Sequence, residues 1–177
     1  MAKDQPLAVD PIAEAKRQWI AHGWVSSATG MSTVTSIMRA QQVMLGRVER
    51  ALAPFELSFA RFELLRLLAF SRDGQMPQSS VIARLQVHPA SVTHTVRRLV
   101  RDGLVQREPH PQDGRAALLL LTERGRDLVE RATVDLNAVF ADPALAEPEM
   151  VSLVRTLARF RQGEGDFAEP VDFPEPL

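Results

Sequence analysis

Residues 85–121 read LQVHPASVTHTVRRLVRDGLVQREPHPQDGRAALLLL and hold most of the side chains whose types and spacing imply chemistry. Placed at about 100° per residue, Ala90, Ser91, His94, Arg97, Arg98 and Arg101 fall on one face of a helix over residues 89–102. Val92, Val96, Leu99 and Val100 fall on the other, and Thr93 and Thr95 lie on the flanks. Small residues at the start of such a helix let its backbone approach the floor of a DNA major groove. Hydroxyls and imidazole then reach base edges, and arginine pairs with guanine or phosphate. The residues expected to touch DNA are therefore Ser91, Thr93, His94, Arg97 and Arg98, with His88 just ahead of the helix. Gln78 or Ser79 begins the preceding helix, where side chain and backbone amide can hold a phosphate.

Downstream, Pro109-His110-Pro111-Gln112-Asp113-Gly114-Arg115 separates two short apolar runs. The prolines stiffen the approach, and Asp113-Gly114 is expected to make the turn of a hairpin. Arg115 at or just past the tip suits a narrow minor groove of strong negative potential, with Asp113 close enough to hold its guanidinium by a charge-assisted bond. A solvated helix face and a plain hairpin would account for each half alone. The distribution of charge argues for the joint reading. The net charge of the 177 residues is −1, yet six Arg against three acids between residues 84 and 115 leave an excess of three positive charges. Residues 164–177 carry five acids and no base.

These side chains need a scaffold. Asp10 before Pro11 reads as the cap of a short amphipathic helix that stops at Gly23 and carries Ile12, Ala15, Trp19 and Ile20. Residues 26–30 are small and read as a linker. A long apolar stripe over residues 32–53 follows (Val34, Ile37, Met38, Met44, Leu45, Val48, Leu52), ended by Pro54. Ser58 caps a helix to about residue 70, with Phe59, Phe62, Leu65, Leu68 and Ala69 inward. Residues 71–74 turn, residues 75–76 form a very short strand, and Pro77 opens a short helix to Leu85. Residues 86–87 connect it to the arginine-bearing helix, whose apolar face is expected on Ile82, Leu85 and Val87, and Gly103 stops that helix. Strands over 104–107 and 116–121 form the hairpin, Thr122 caps a helix to about residue 140, and a last helix spans about 149–161.

The expected fold is mainly α, in the order α-α-α-β-α-α-β-β-α-α. This is a winged helix-turn-helix with flanking helices and an extra N-terminal helix. The expected organisation is an extension over 1–30, a long helix over 31–57 that suits an interface as readily as a core, a DNA-binding lobe over 58–121, two helices over 122–162 and an acidic disordered tail over 163–177.

The absence of cysteine excludes disulfides and thiolate metal sites. No apolar run spans a bilayer, and the first residues lack the apolar core of a signal peptide, so a cytoplasmic location without membrane partners is expected. Nineteen Arg against two Lys point to a GC-rich bacterial genome. His22, His88, His94 and His110 show no zinc spacing. No phosphate loop, nucleophile elbow or paired carboxylates are present, so neither catalytic residues, metal nor cofactor is expected. The alternative function is a helical protein-interaction or scaffold domain that uses the apolar stripe of residues 33–52 without specific DNA binding.

The run VHPASVTHTVRRLVRDGLVQREPHPQDGRAALLLLTERG resembles the winged helix-turn-helix of the MarR family of bacterial transcriptional regulators. The features that carry the likeness are Ser91 and Thr93, Leu99, Asp102-Gly103-Leu104-Val105, Arg107, Asp113-x-Arg115 and Leu121-Thr122-x-x-Gly125. In helix order and loop length it extends over about residues 33–161. It implies a homodimer, most often a repressor, whose helical dimerisation region is formed by a dimerisation helix over 31–57 and dimerisation helices over 122–162, on double-stranded DNA at an imperfect palindrome, with wings in the flanking minor grooves. Gly114 stands where many members carry another Arg or Lys. The resemblance also implies a small-molecule effector. The extra helix with Trp19 is similar to that of the urate-responsive subgroup, in which the Trp lines a pocket beside an acid and two Arg. Glu63 aligns with the acid and Arg107 with one Arg, but Thr95 stands in place of the other. Core packing of the extension is the competing reading of Trp19.

Overall fold

A computed structural model describes residues 7–85, 89–111 and 113–168; the side chains of residues 89–91 and 113–115 are not among those described. The chain divides into two compact units, Met1–Val139 and Phe140–Leu177.

α1, Pro11–Ala21, begins as the sequence predicts. The carboxylate of Asp10 accepts from the Ile12 amide at 3.0 Å, and Pro11 loses no hydrogen bond in the first turn. Gly23 has φ +83°, a conformation glycine adopts without strain. α2 departs from expectation, running unbroken from Val25 to Leu52 through the segment 26–30 read as a linker. Small and hydroxyl residues do not forbid helix when the hydroxyls bond back along it. Ser32 and Thr33 donate to the Thr29 carbonyl, and Thr35 donates to that of Met31, each at 2.8–2.9 Å. Pro54 then turns the chain through a short 3-10 segment, Ala53–Phe55.

The DNA-binding lobe expected from the sequence has a closed core. α3, Phe59–Phe70, is capped by the Ser58 hydroxyl and buries Phe62, Leu64, Leu65 and Leu68. β1, Gln75–Pro77, leads into α4, Gln78–Arg84. α5, Pro89–Arg101, buries Val92, Val96 and Leu99 against Val81, Leu85 and the α3 leucines. β2, Val105–His110, and β3, Asp113–Leu121, form an antiparallel sheet in the order β1-β3-β2. Leu104, Val105 and Leu119 close the core from the sheet, and Val129, Ala132 and Leu136 from α6, Glu123–Ala141. Burying each Val or Leu contributes roughly 1.5–3 kcal/mol, so this lobe rests mainly on burial.

The hairpin differs from the sequence reading in its turn. Asp113-Gly114, read as the turn, already belongs to β3, and His110 faces Asp113. One position earlier, Pro109 faces Ala117. The register therefore jumps, leaving Gly114, Arg115 and Ala116 as a bulge in β3. A bulge sets extra residues of one strand against fewer of its neighbour.

In the second unit, α7, Glu147–Gly163, starts with Pro148, and Glu149 accepts from the Ala146 amide at 2.8 Å. It begins two residues before and ends two after the span expected of it. No side chain of α7 is fully buried, and Val151, Leu153, Val154 and Phe160 are exposed. The part of the expected disordered tail over 169–177 lies outside the described residues. No helix among the described residues is long and apolar enough to cross a membrane.

Candidate nucleic-acid interface

The exposed side chains of α5 are set by its buried ones. With Val92, Val96 and Leu99 fixed in the core, His94, Arg97 and Arg98 must face solvent, and they do. Thr93 is half-buried on the flank, as its spacing predicts. Among the described residues, none supplies a carboxylate to Arg97 or Arg98. Two expectations for this helix need correction. Val100, read as inward, is 37% exposed and lines a hollow; Thr95, read as a flank residue, is 8% exposed and lies between Val92 and Leu99 on the buried side. Thr95 sits three residues after one buried anchor and four before the other, the spacing of an inward position.

Gln78 and Ser79 open α4; Ser79 is exposed and Gln78 half-buried. Gln78 is held across the lobe, its Oε1 accepting from Arg107 Nε on β2 at 3.1 Å. Arg107 thus belongs to the same surface as Gln78. A hollow of about 450 Å³ lies between them and α5, lined by Thr93, Val96, Arg97, Val100 and Arg101 as well. His88 lies outside the described residues, as do Val87 and the side chains of Ser91, Asp113 and Arg115, including any bond between the last two.

α5 is anchored at its end by a pair that the sequence pattern did not single out. Arg61 Nη2 donates to Asp102 Oδ2 at 2.6 Å, and its Nη1 donates to the Glu56 carbonyl at 2.8 Å. Arg101 Nε reaches the other oxygen of Asp102 at 3.2 Å. Arg61 and Asp102 are 41 positions apart, and spacing along the chain carries no sign of such a partner. After Asp102, Gly103 takes φ +67° and the chain turns into β2.

Of the residues aligned with an effector pocket, Trp19 is half-buried, with Trp24 edge-on at 5.3 Å. Glu63 on α3 is half-buried, and burial pushes its carboxyl above the usual range. Trp19, Glu63 and Thr95 line neither the hollow beside α5, which Arg107 does line, nor a second one at the end of that helix. No group of three or more His, Asp and Glu among the described residues could hold a metal ion.

The comparisons with known proteins agree with this geometry. The sequence profile of the MarR family matches residues 57–117, which run from just before α3 to the middle of β3. The structure of Sco5413, a MarR family transcriptional regulator from Streptomyces coelicolor, is 46% identical and superposes with a TM-score of 0.71 over 80% of this chain and 99% of that one. Sco3205 from the same organism, solved in complex with DNA, is 21% identical and shares the fold at a TM-score of 0.68 over 78% of this chain and 90% of its own. The HTH-type transcriptional regulator ML2140 of Mycobacterium leprae is 36% identical over 70 residues, 40% of this chain. The chain spans about half the length (49%) of that relative.

Proposed function

The chain belongs to the MarR family of transcriptional regulators, and from that premise we propose that it binds double-stranded operator DNA as a homodimer and represses transcription until a small-molecule effector releases it. The observation that carries the reading is the division of α5. One face is sealed in the core, and the other presents exposed His94, Arg97 and Arg98 with no carboxylate among the described residues to neutralise the arginines. In this reading Ser91, Thr93, His94, Arg97 and Arg98 face the major groove. Arg115 enters the minor groove from the bulge beside Asp113, and His88 lies at the backbone. Gln78, oriented by Arg107, and Ser79 meet phosphate at the start of α4. The apolar side chains that α2 leaves exposed (Val34, Ile37, Met38, Val43) fit contact with a second copy. The effector reading of Trp19, Glu63, Thr95 and Arg107 has less support, because of the four only Arg107 lines the hollow beside α5 and none lines the one at its C-terminal end.

The test is selection of bound sites from random DNA, followed by mobility shifts. Two half-sites about 10–10.5 bp apart are expected of a two-fold dimer. The Arg97/Arg98/Arg115 triple Ala variant should lose at least 100-fold in affinity. Several lost phosphate contacts should also flatten the salt dependence. Full operator binding by that variant would overturn the assignment.

A further inference from the structure

The second hollow, about 490 Å³, opens at the C-terminal end of α5 and is built from the chain before α3, the start of β2 and one side of α6. Its volume is that of a small-molecule site. Phe55, Leu104 and Leu128 supply a minor apolar part of its wall; the rest is charged. Four guanidiniums, those of Arg61, Arg101, Arg124 and Arg131, face two carboxylates, those of Glu56 and Asp102. Asp102 is shared by Arg61 and Arg101, at 2.6 and 3.2 Å. Nothing among the described residues accepts from the buried Nε of Arg61. Arg124 and Arg131 have no carboxylate partner among the described residues; Arg131 Nε reaches only the Asp127 carbonyl, at 3.3 Å. The hollow thus carries two positive charges more than its own acids offset.

We propose that this hollow is a binding site for a small polar dianion, a dicarboxylate or a phosphate-bearing metabolite. The two residues that carry the uncompensated guanidiniums, Arg124 and Arg131, are seven positions apart on α6, so their Cα atoms lie about 10.5 Å apart along its axis, with Leu128 between them on the same side. That spread suits two anionic groups set apart better than a single carboxylate. Guanidinium forks take carboxylate and phosphate oxygens in pairs. The site includes none of Trp19, Glu63, Thr95 and Arg107. It deepens the effector part of the function proposed above and rests on that reading for its biological role, but its binding can be measured without DNA.

The probes are pyrophosphate and succinate, titrated calorimetrically into the full chain, with acetate and chloride at matched ionic strength as controls. Saturable binding of at least one dianion is expected, with acetate at least tenfold weaker. The Arg124→Ala/Arg131→Ala variant should bind that dianion at least tenfold more weakly with an unchanged unfolding midpoint, and Arg124→Lys/Arg131→Lys should recover part of the loss. No saturable binding of either dianion, or equal binding by the double Ala variant, overturns the proposal. Equal loss of operator affinity in the Arg124→Ala/Arg131→Ala and Arg97/Arg98/Arg115 triple Ala variants would assign the two arginines to the DNA backbone and also overturn it. If the dianion binds as expected but no operator is found, the site stands and the DNA reading fails.

Discussion

In α5 the residues Val92, Val96 and Leu99 are buried to 3% exposure or less, whereas over most of α2 only Ala28 is buried until Val48 and Leu52 meet the core. Trp24, Val25, Val34, Ile37, Met38 and Val43 at and along α2 stay in solvent. Both helices are amphipathic in sequence, but within one chain only the first has its apolar face covered; α2 packs on α1 and reaches the core with its last turns, and apolar side chains between stay exposed. The contrast separates two uses of the same pattern. The α5 stripe fixes the direction of polar side chains, and its partner is intramolecular. The α2 stripe is longer than the core it reaches, and an exposed run of this extent suits the contact with a second copy proposed above. The helix that reads DNA in our proposal is therefore complete in one copy, and the helix that pairs copies is not.

The sharpest way to break this contrast is to empty each face in turn. Leu99→Ala removes a fully buried side chain and should cost about 2–5 kcal/mol of unfolding free energy. The loss should be nearly independent of protein concentration in denaturant titrations. Ile37→Asp, at an exposed position of α2, should leave the folded lobe intact and weaken self-association about 100-fold, roughly 2.7 kcal/mol. Sedimentation at micromolar concentration reads it, and a variant as dimeric as the parent would sink the assignment of α2 to the dimer. Arg61→Ala frees one side of Asp102 and should cost about 1.5–3 kcal/mol, the range for a hydrogen bond to a charged group. Its fingerprint would be faster amide exchange in the last turn of α5, with the first turn little changed. The smallest effect is expected at Glu63. Burial raises its carboxyl above the ordinary value, so the folded state holds that proton more tightly than the unfolded one. Stability is then lost as pH rises through the ordinary carboxylate range toward the raised value. Glu63→Gln should be slightly more stable than the parent at pH 7 and no more stable below about pH 4, by thermal melts across that range.

Local signals were legible in the sequence where they act over one turn of chain. Asp10, Ser58 and Thr122 cap the helices they precede, Gly23 and Gly103 take the positive φ expected of helix stops, and the alternation of apolar and polar side chains on α5 holds for Val92, Val96 and Leu99. Signals that depend on contacts far along the chain were not legible. The Arg61–Asp102 pair joins two helices, and only their packing brings the charges together. The placement of Val100 depends on the hollow beside it, and the inclusion of Asp113-Gly114 in β3 depends on the register shift between Pro109 and His110. The start of α2 was hidden for another reason. Propensity disfavours serine, threonine and glycine in helices by only fractions of a kcal/mol up to about 1 kcal/mol each, which hydroxyl bonds and packing against α1 outweigh.

Thr122 does more than cap. Its hydroxyl donates to the Gly103 carbonyl at 2.9 Å while accepting from the Gly125 amide at 3.0 Å. That closure presses Gly125 against the chain leaving α5, where an added Cβ would lie 2.2 Å from the Leu104 carbonyl oxygen and 2.9 Å from Leu121 Cδ1. Seen as inheritance, this is a position without neutral neighbours. Any single-base change of the Gly125 codon that alters the residue adds at least that one carbon or stops the chain. Drift is then free to rewrite the exposed face of α5, while this joint keeps that helix attached to its frame.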